Sequence, residues 1–125
     1  MAKILIADDS RFQVQLISAC LAERGFAVIS AGDALQTWMT ALREKPEAII
    51  LDINMPGGTG VEVLKRLRMS AKTQHIPVVV VSGSSDPNIE KTVRDLGARN
   101  FLGKPVDPKQ LGELMSALLS PQTPA

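Results

Sequence analysis

Residues 77–82 read Pro-Val-Val-Val-Val-Ser, the most strand-like segment of this 125-residue chain. The valine run is apolar throughout, without the polar alternation of a strand that has one face in water. Such a continuous run is typical of a strand buried on both faces of a parallel sheet. The segment therefore predicts the central strand of an α/β protein.

Strands and helices alternate on both sides of this segment. Short apolar runs predict four further strands, at Lys3–Ala7, Ala27–Ser30, Ala48–Leu51 and Asn100–Leu102. Helical spacing predicts five helices, at Ser10–Arg24, Ala34–Lys45, 61–72, Asp86–Leu96 and Pro108–Leu119. The second strand is the least apolar and is expected at an edge. Five strand–helix units predict a doubly wound, flavodoxin-like (βα)5 fold, with a five-stranded parallel sheet in the order 2-1-3-4-5.

The apolar positions of the helices predict which faces turn toward the core. On helix 1 the expected inward residues are Leu16, Ile17, Cys20 and Leu21. On helix 2 they are Leu35, Trp38, Met39 and Leu42. Asp86 is the expected N-cap of helix 4. Residues 1–120 are expected to form one domain, with 121–125 as a tail or the start of a linker.

Composition excludes several classes of protein. With 45% apolar and 22% charged residues, the chain has the composition of a globular domain. Fourteen basic and thirteen acidic residues leave a net charge of +1, which predicts no direct nucleic acid binding and no membrane association. One cysteine and one histidine argue against an internal disulfide, a Cys-rich zinc site or a His-based metal site or catalytic triad. A reducing, cytoplasmic location is the default expectation.

Polar side chains follow four of the predicted strands at their carboxyl ends. Strand 1 is followed by Asp8 and Asp9, strand 3 by Asp52, strand 4 by Ser82 and strand 5 by Lys104. Parallel strands place these ends at one edge, and the crevice of an open α/β sheet lies there. Each residue alone could be a helix cap, a turn residue or a solvated lysine. Their joint placement around one switch point favours a functional site.

The charges of this site predict a bound cation. Three carboxylates and one ammonium leave an excess of negative charge, which is unfavourable unless a carboxylate is protonated or a cation binds. The side chains offer oxygen ligands only, and this favours Mg²⁺, which keeps several waters, over Ca²⁺, which takes more protein ligands. We therefore expect Mg²⁺ as the cofactor.

These residues resemble the motif set of the response-regulator receiver domains of two-component signalling. The resemblance extends from Lys3 to about Leu119. It rests on the acidic pair, the aspartate of Asp-Ile-Asn-Met-Pro-Gly, a hydroxyl residue, a Lys-Pro pair and an aromatic residue three positions before the lysine. In this sequence they are Asp8-Asp9, Asp52, Ser82, Lys104-Pro105 and Phe101.

The resemblance implies a role for each matching residue. Asp52 would accept the phosphoryl group, and Ser82 and Lys104 would contact it. The implied Mg²⁺ ligands are Asp9, Asp52, the main-chain carbonyl of Asn54 and, through water, Asp8. The Lys104-Pro105 bond is expected to be cis, which proline tolerates at a cost of ~0.5–1 kcal/mol.

The resemblance also implies partners and a switch. A histidine kinase or histidine phosphotransfer protein would donate the phosphoryl group, and a downstream protein or a fused output domain would receive the signal. Ser82 and Phe101 would move together and change the surface of helix 4, strand 5 and helix 5. Such a domain promotes its own phosphorylation and dephosphorylation and is not a turnover enzyme.

Three other functions are compatible with parts of this pattern. A metal-dependent phosphohydrolase would use an acid/base aspartate two residues after the nucleophile, where this chain has Asn54. An FMN carrier would need a phosphate-binding loop after strand 1, where Asp8 and Asp9 would repel phosphate. A receiver-like binding module without phosphorylation would not need the full acidic set.

Overall fold

The computed structural model describes residues 2–55, 58–83 and 87–119. Five parallel strands form its main sheet, and we label them β1 (Lys3–Ala7), β2 (Ala27–Ala31), β3 (Ala48–Asp52), β4 (Val78–Ser82) and β5 (Asn100–Gly103). Their order across the sheet is β2-β1-β3-β4-β5. This order confirms the predicted topology and puts the second strand at an edge, as expected.

Five helices cover the two faces of the sheet: α1 (Arg11–Glu23), α2 (Ala34–Glu44), α3 (Gly60–Met69), α4 (Pro87–Asp95) and α5 (Pro108–Leu119). One core cluster joins the sheet to α2, α3 and α4, and a second joins it to α1 and α5. A small antiparallel ribbon, Asn54–Met55 with Gly58–Thr59, lies between β3 and α3. The sequence predicts only a loop there.

Strand β4 is the buried centre that its valine run predicts. All five of its residues are buried, and it pairs with β3 on one side and β5 on the other. Its side chains alternate between the two clusters, Val78 and Val80 on the α2–α4 side and Val79 and Val81 on the α1–α5 side. Such two-sided burial explains why the strand has no polar alternation.

Local sequence signals define several helix ends. The side chains of Ser10, Asp33 and Thr59 accept hydrogen bonds from the third backbone N–H after each of them, and so cap α1, α2 and α3. Gly25 and Gly97 follow α1 and α4 with φ of 88° and 87°, the left-handed conformation in which glycine lacks the penalty of a Cβ. The predicted N-cap Asp86 and the tail 121–125 lie outside the described residues.

The predicted inward face of α2 is wrong for two of its four residues. Leu35 and Met39, predicted to be inward, are 59% and 50% exposed, whereas Trp38 packs against the core and Leu42 is partly buried. The fully buried face consists instead of Ala34, Thr37, Thr40 and Ala41. The small side chains allow α2 to lie close to the sheet, and the Thr37 hydroxyl donates to the Asp33 carbonyl, which makes its burial inexpensive.

Helices α1 and α3 differ from prediction in smaller ways. On α1, Ile17 and Leu21 are buried as expected, but Leu16 is 41% exposed. Cys20 is only partly buried, and its thiol donates to the Pro108 carbonyl of α5. Helix α3 ends at Met69 rather than at residue 72, because Ser70 has an extended backbone.

Candidate functional site

Three carboxylates converge at the carboxyl ends of β1 and β3. One oxygen from each of Asp8, Asp9 and Asp52 lies within 4.8 Å of the others. Asp8 and Asp52 are buried, with 6% and 2% of their surface exposed, whereas Asp9 is exposed. The acidic cluster that the sequence predicts at the switch point is therefore formed, with one member open to solvent.

Lys104 provides the positive charge of the site. Its Nζ lies 2.9 Å from Asp52 Oδ2 and 3.6 Å from Asp8 Oδ2. The backbone N–H of Lys104 donates to the carbonyl of Ser82, and the Lys104-Pro105 peptide bond is cis, as expected. The end of β5 thereby directs the ammonium across β4 toward the carboxylates at the ends of β3 and β1.

Backbone N–H groups orient the two buried carboxylates. Asp8 Oδ1 accepts a hydrogen bond from the Ser10 N–H at 2.9 Å, and Asp52 Oδ1 accepts one from the Asn54 N–H at 3.1 Å. With Lys104 near the second oxygen of each, both side chains are held from two directions. Fixed carboxylates of this kind are suited to positioning a ligand without further rearrangement.

Burial and charge shift the pKa values of two groups in the site. Burial raises the pKa of the Asp8 carboxyl; the Ser10 hydrogen bond opposes this effect, and the charge of Asp52 adds to it. Burial disfavours the ammonium of Lys104, but the hydrogen bond to Asp52 and the charges of Asp52 and Asp8 outweigh that effect, so the pKa of Lys104 is raised. Lys104 is therefore a permanent cation at neutral pH, whereas ionised Asp8 is held in an unfavourable environment.

The donor set fits a hard divalent cation. All three side chains offer carboxylate oxygens within one small volume, and Mg²⁺ prefers such ligands. Lys104 balances only part of their charge. Asn54 lies two residues after Asp52 and donates its N–H to Asp52 Oδ1, so the backbone of Asn54 adjoins the carboxylate cluster. These residues could hold a magnesium ion.

Ser82 and Phe101 lie on the same side of the sheet. Val80 pairs with Phe101 and Ser82 with Gly103, and Phe101 packs against the cluster that contains Val80. Ser82 is fully buried, and Phe101 is partly buried. The two predicted switch residues therefore lie on adjacent strands facing α4, with the Phe101 ring between solvent and core.

Sequence reasoning did not identify Gly60 as part of the site. A Cβ on this residue would lie 2.7 Å from Ile53 Cα and 2.8 Å from the carbonyl oxygen of Asp52. The N–H of Gly60 also donates to the Ile53 carbonyl. Only glycine allows α3 to begin this close to Asp52. The sequence feature that could have indicated this is a glycine at the predicted start of a helix, directly after the Asp52 loop.

A shallow polar cleft of about 420 Å³ adjoins the carboxylates and was also not predicted. It lies between the first turns of α1 and α2. Besides Asp8 and Asp9, its polar lining includes Arg11, Gln15 and Gln36. The cleft therefore connects Asp8 and Asp9 to the solvent beside α1.

Fold and site together define a doubly wound α/β domain whose switch point carries three carboxylates and a lysine. The family described as response regulator receiver domain matches residues 4–116. The chain belongs to this family. It is therefore a receiver domain, the phosphorylation-controlled switch of two-component response regulators.

Individual relatives agree with the family. The chain is 34% identical to protein PilH of Pseudomonas aeruginosa over 120 residues, which is 96% of this chain and 99% of PilH. It is 35% identical to response regulator PleD of Caulobacter vibrioides over 106 residues, which is 85% of this chain but only 23% of PleD. Relatives therefore include both a protein of the same length and much longer regulators.

Solved structures show the same architecture. The structure of chemotaxis response regulator CheY4 of Vibrio cholerae superposes with a TM-score of 0.87 at 31% identity, covering 95% of this chain and 99% of that one. A response regulator from Burkholderia multivorans superposes with a TM-score of 0.82 at 30% identity, covering 98% of both chains. Among the described residues, no helix has the length and apolar character to cross a membrane.

Proposed function

We propose that Asp52 is the phosphoacceptor of this receiver domain and that a histidine kinase or histidine phosphotransfer protein is the donor. The observation that carries this assignment is the position of Asp52 at the centre of the site. It ends β3, lies within the carboxylate cluster and is 2.9 Å from the only ammonium that approaches the cluster among the described residues. Asp8 faces Lys104 at a longer distance, and Asp9 is exposed.

The transfer is a displacement at phosphorus. A carboxylate oxygen of Asp52 forms the new O–P bond, and the P–N bond of the phosphohistidine breaks. The departing histidine nitrogen takes the electron pair and then a proton. Lys104 and the Ser82 hydroxyl are proposed to contact the phosphoryl oxygens, where added negative charge needs donors.

Mg²⁺ is the proposed cofactor. Asp9, Asp52 and the main-chain carbonyl of Asn54 would hold it directly, and Asp8 would act through water. When bound, the ion neutralises carboxylate charge and the charge of the phosphoryl oxygens. The chain itself orients Asp52 through the Asn54 N–H and Lys104, and it keeps the carboxylate buried.

Phosphorylation is proposed to act as a signal rather than as a step of substrate turnover. The product would change the surface formed by α4, β5 and α5 and so alter binding of a downstream protein or a fused output domain. We place the receiver domain at residues 1–120, with 121–125 as a tail or linker. A cytoplasmic location is consistent with these partners.

The test is labelling with a small phosphodonor, acetyl phosphate, in the presence and absence of Mg²⁺. Intact-mass measurement should show the addition of one phosphoryl group, labile to base and dependent on Mg²⁺. Asp52→Asn should not be labelled, whereas Asp95→Asn, which changes an exposed aspartate of α4, should be labelled normally. Equal labelling of Asp52→Asn would refute the assignment.

A further inference from the structure

Helix α2 has a second apolar face that the domain covers only in part. Its large apolar residues recur at helical spacing, at Leu35, Trp38, Met39 and Leu42. Leu35 and Met39 are 59% and 50% exposed, whereas Trp38 and Leu42 are partly buried and Trp38 also packs against the core. Next to them on α3, Met69 is 85% exposed. Apolar residues at i, i+3, i+4 and i+7 form the pattern by which one helix packs against another.

Some of these residues line two adjoining depressions between the two helices. We define the α2–α3 groove by Leu35 and Trp38 of α2 and Glu62, Arg66 and Met69 of α3. It consists of two shallow lobes of about 280 and 300 Å³, both of which include Trp38 and Arg66. Pockets for small molecules typically enclose ~300–1,000 Å³ and bury most of the ligand, so this open groove is better suited to side chains of a protein partner.

The two segments that form the groove are basic, although the chain as a whole is almost neutral. Residues 34–45 and 60–72 carry six basic and two acidic side chains, against fourteen and thirteen in the full sequence. Glu44 is already paired with Lys3 and Arg43, and the lining itself contains one charge of each sign, Arg66 and Glu62. Lys65, Arg66 and Lys72 are exposed, as is Glu62, so the exposed charge of residues 60–72 is net positive beside the apolar residues of the groove.

Arg66 occupies the centre of this arrangement. It contributes to both lobes beside Trp38, and it forms no ion pair with another residue in the described part of the chain. By contrast, Arg68, two residues further along α3, donates hydrogen bonds to the carbonyls of Leu96, Gln74, Ile76 and Gly97. Arg66 is therefore available to a carboxylate from outside.

We propose that the α2–α3 groove docks an acidic amphipathic helix of a partner protein. Apolar side chains of that helix would fill the two lobes, and its glutamates or aspartates would face Arg66 and Lys65. A second copy of this chain fits less well, because a two-fold contact through the groove would bring Lys65 and Arg66 of both copies together. The groove is formed by α2 and α3, so this partner is distinct from one that reads α4, β5 and α5.

The test is selection from a displayed library of 16-residue helical peptides, followed by titration of the selected peptides. Trp38 is the only tryptophan of the chain and lies in the groove, so its fluorescence reports binding directly. We expect enrichment of peptides that combine apolar i, i+3/i+4 spacing with Asp or Glu. Their titration should change Trp38 emission saturably and shift amide signals of α2 and α3.

Two charge-reversal variants distinguish binding at this groove from nonspecific electrostatic attraction to the protein surface. Arg66→Glu should weaken binding at least about tenfold, whereas Lys91→Glu, an exposed position on α4, should change it less than about twofold. Met69→Ser should also weaken binding while the circular dichroism spectrum is unchanged, because Met69 lines one lobe and is 85% exposed. The proposal is overturned if no acidic peptides are enriched, if Arg66→Glu binds as well as wild type, or if sedimentation shows self-association through this face.

Discussion

Lys104 Nζ lies 2.9 Å from Asp52 Oδ2, and this contact joins the ends of β5 and β3 at the centre of the acidic site. The lysine also approaches Asp8 at 3.6 Å. One cation therefore serves two buried carboxylates, and its pKa is raised in consequence. Both contacts depend on the observed order of β1, β3, β4 and β5, because Asp8, Asp52 and Lys104 lie far apart in sequence.

Replacing this lysine should slow phosphoryl transfer. Lys104→Met keeps the apolar stem and removes the charge that faces Asp52. Losing one preorganised donor typically lowers a rate by about 10²–10³-fold, and we expect a decrease in that range. A mass-spectrometric time course with acetyl phosphate measures it. Lys109→Met, at an exposed position on α5, is the matched control, and an unchanged rate in Lys104→Met would contradict the role.

Removal of the two adjacent aspartates should affect magnesium binding unequally. Asp9 is exposed, whereas Asp8 already faces the Ser10 N–H and Lys104. We expect Asp9→Ala to reduce Mg²⁺ affinity by about 100-fold and Asp8→Ala by about tenfold, since the first removes a direct ligand and the second a water-mediated one. Calorimetric titration of each variant gives the comparison. Equal losses would argue against these two roles.

The stability of the metal-free protein should depend on the ionisation of Asp8. Its pKa is raised in the folded state, so the folded protein binds this proton more tightly than the unfolded chain. The resulting stabilisation is present below the unfolded pKa, ~3.9, and is lost as pH rises through the folded pKa. At pH 7 the ionised carboxylate is therefore a cost to folding.

Asp8→Asn removes that cost and keeps an oxygen that can accept from the Ser10 N–H. In EDTA at pH 7 it should raise the free energy of unfolding by on the order of 1 kcal/mol, or Tm by about 4 °C. The gain should shrink as pH falls toward ~4, where Asp8 itself becomes neutral. Urea unfolding at several pH values measures this dependence. Asp95→Asn, an exposed change on α4, should show no comparable gain, and a gain independent of pH would point to another cause.

The sequence was sufficient to predict the sheet and the site at its edge. A parallel sheet brings all strand ends to one side, so the position of Asp52 directly after an apolar run determines where it lies. Lys104 could be placed near it for the same reason. Distances could not be predicted, because the 2.9 Å contact depends on the twist of the sheet and on the path of the chain after β5.

The outer face of α2 could not be predicted from periodicity alone. Leu35 and Met39 are more apolar than Thr37 and Thr40, and a hydrophobic pattern therefore assigns the wrong face to the core. In the folded domain the buried face of α2 carries small side chains, because they allow the helix to approach the sheet closely and the Thr37 hydroxyl forms its hydrogen bond within the helix. The sequence of one helix does not show how closely its side chains can pack against the sheet.

Gly60→Ala should disturb the loop that follows Asp52. Its Cβ would meet the backbone of Ile53 and Asp52 at 2.7 and 2.8 Å, and backbone atoms cannot move aside as a flexible side chain can. We expect a loss of about 1–3 kcal/mol in the free energy of unfolding and slower phosphorylation. Gly32→Ala is the matched control, because a Cβ there meets nothing within 4 Å. Equal stability of the two variants, measured by urea unfolding, would mean that α3 shifts at little cost.

Ser82 and Phe101 should act together when the phosphoryl group binds. They face the same side of the sheet on adjacent strands, and the Phe101 ring is only partly buried. If Ser82 turns toward the phosphoryl oxygens, Phe101 gains space to enter the core. Complete burial of a Phe side chain is worth roughly 1.5–3 kcal/mol, and even part of this can shift a two-state equilibrium several-fold.

Ser82→Ala should therefore still accept a phosphoryl group, because Asp52, Lys104 and the metal ligands remain, but it should transmit the signal poorly. Amide chemical-shift mapping with beryllofluoride, a mimic of the phosphoryl group, tests this separation. In the wild type we expect shifts to extend from the site along β5 to Phe101 and into α4 and α5, with α2 nearly unchanged. In Ser82→Ala they should stay near Asp52 and Lys104. Identical maps for the two proteins would show that Phe101 does not respond to the Ser82 hydroxyl.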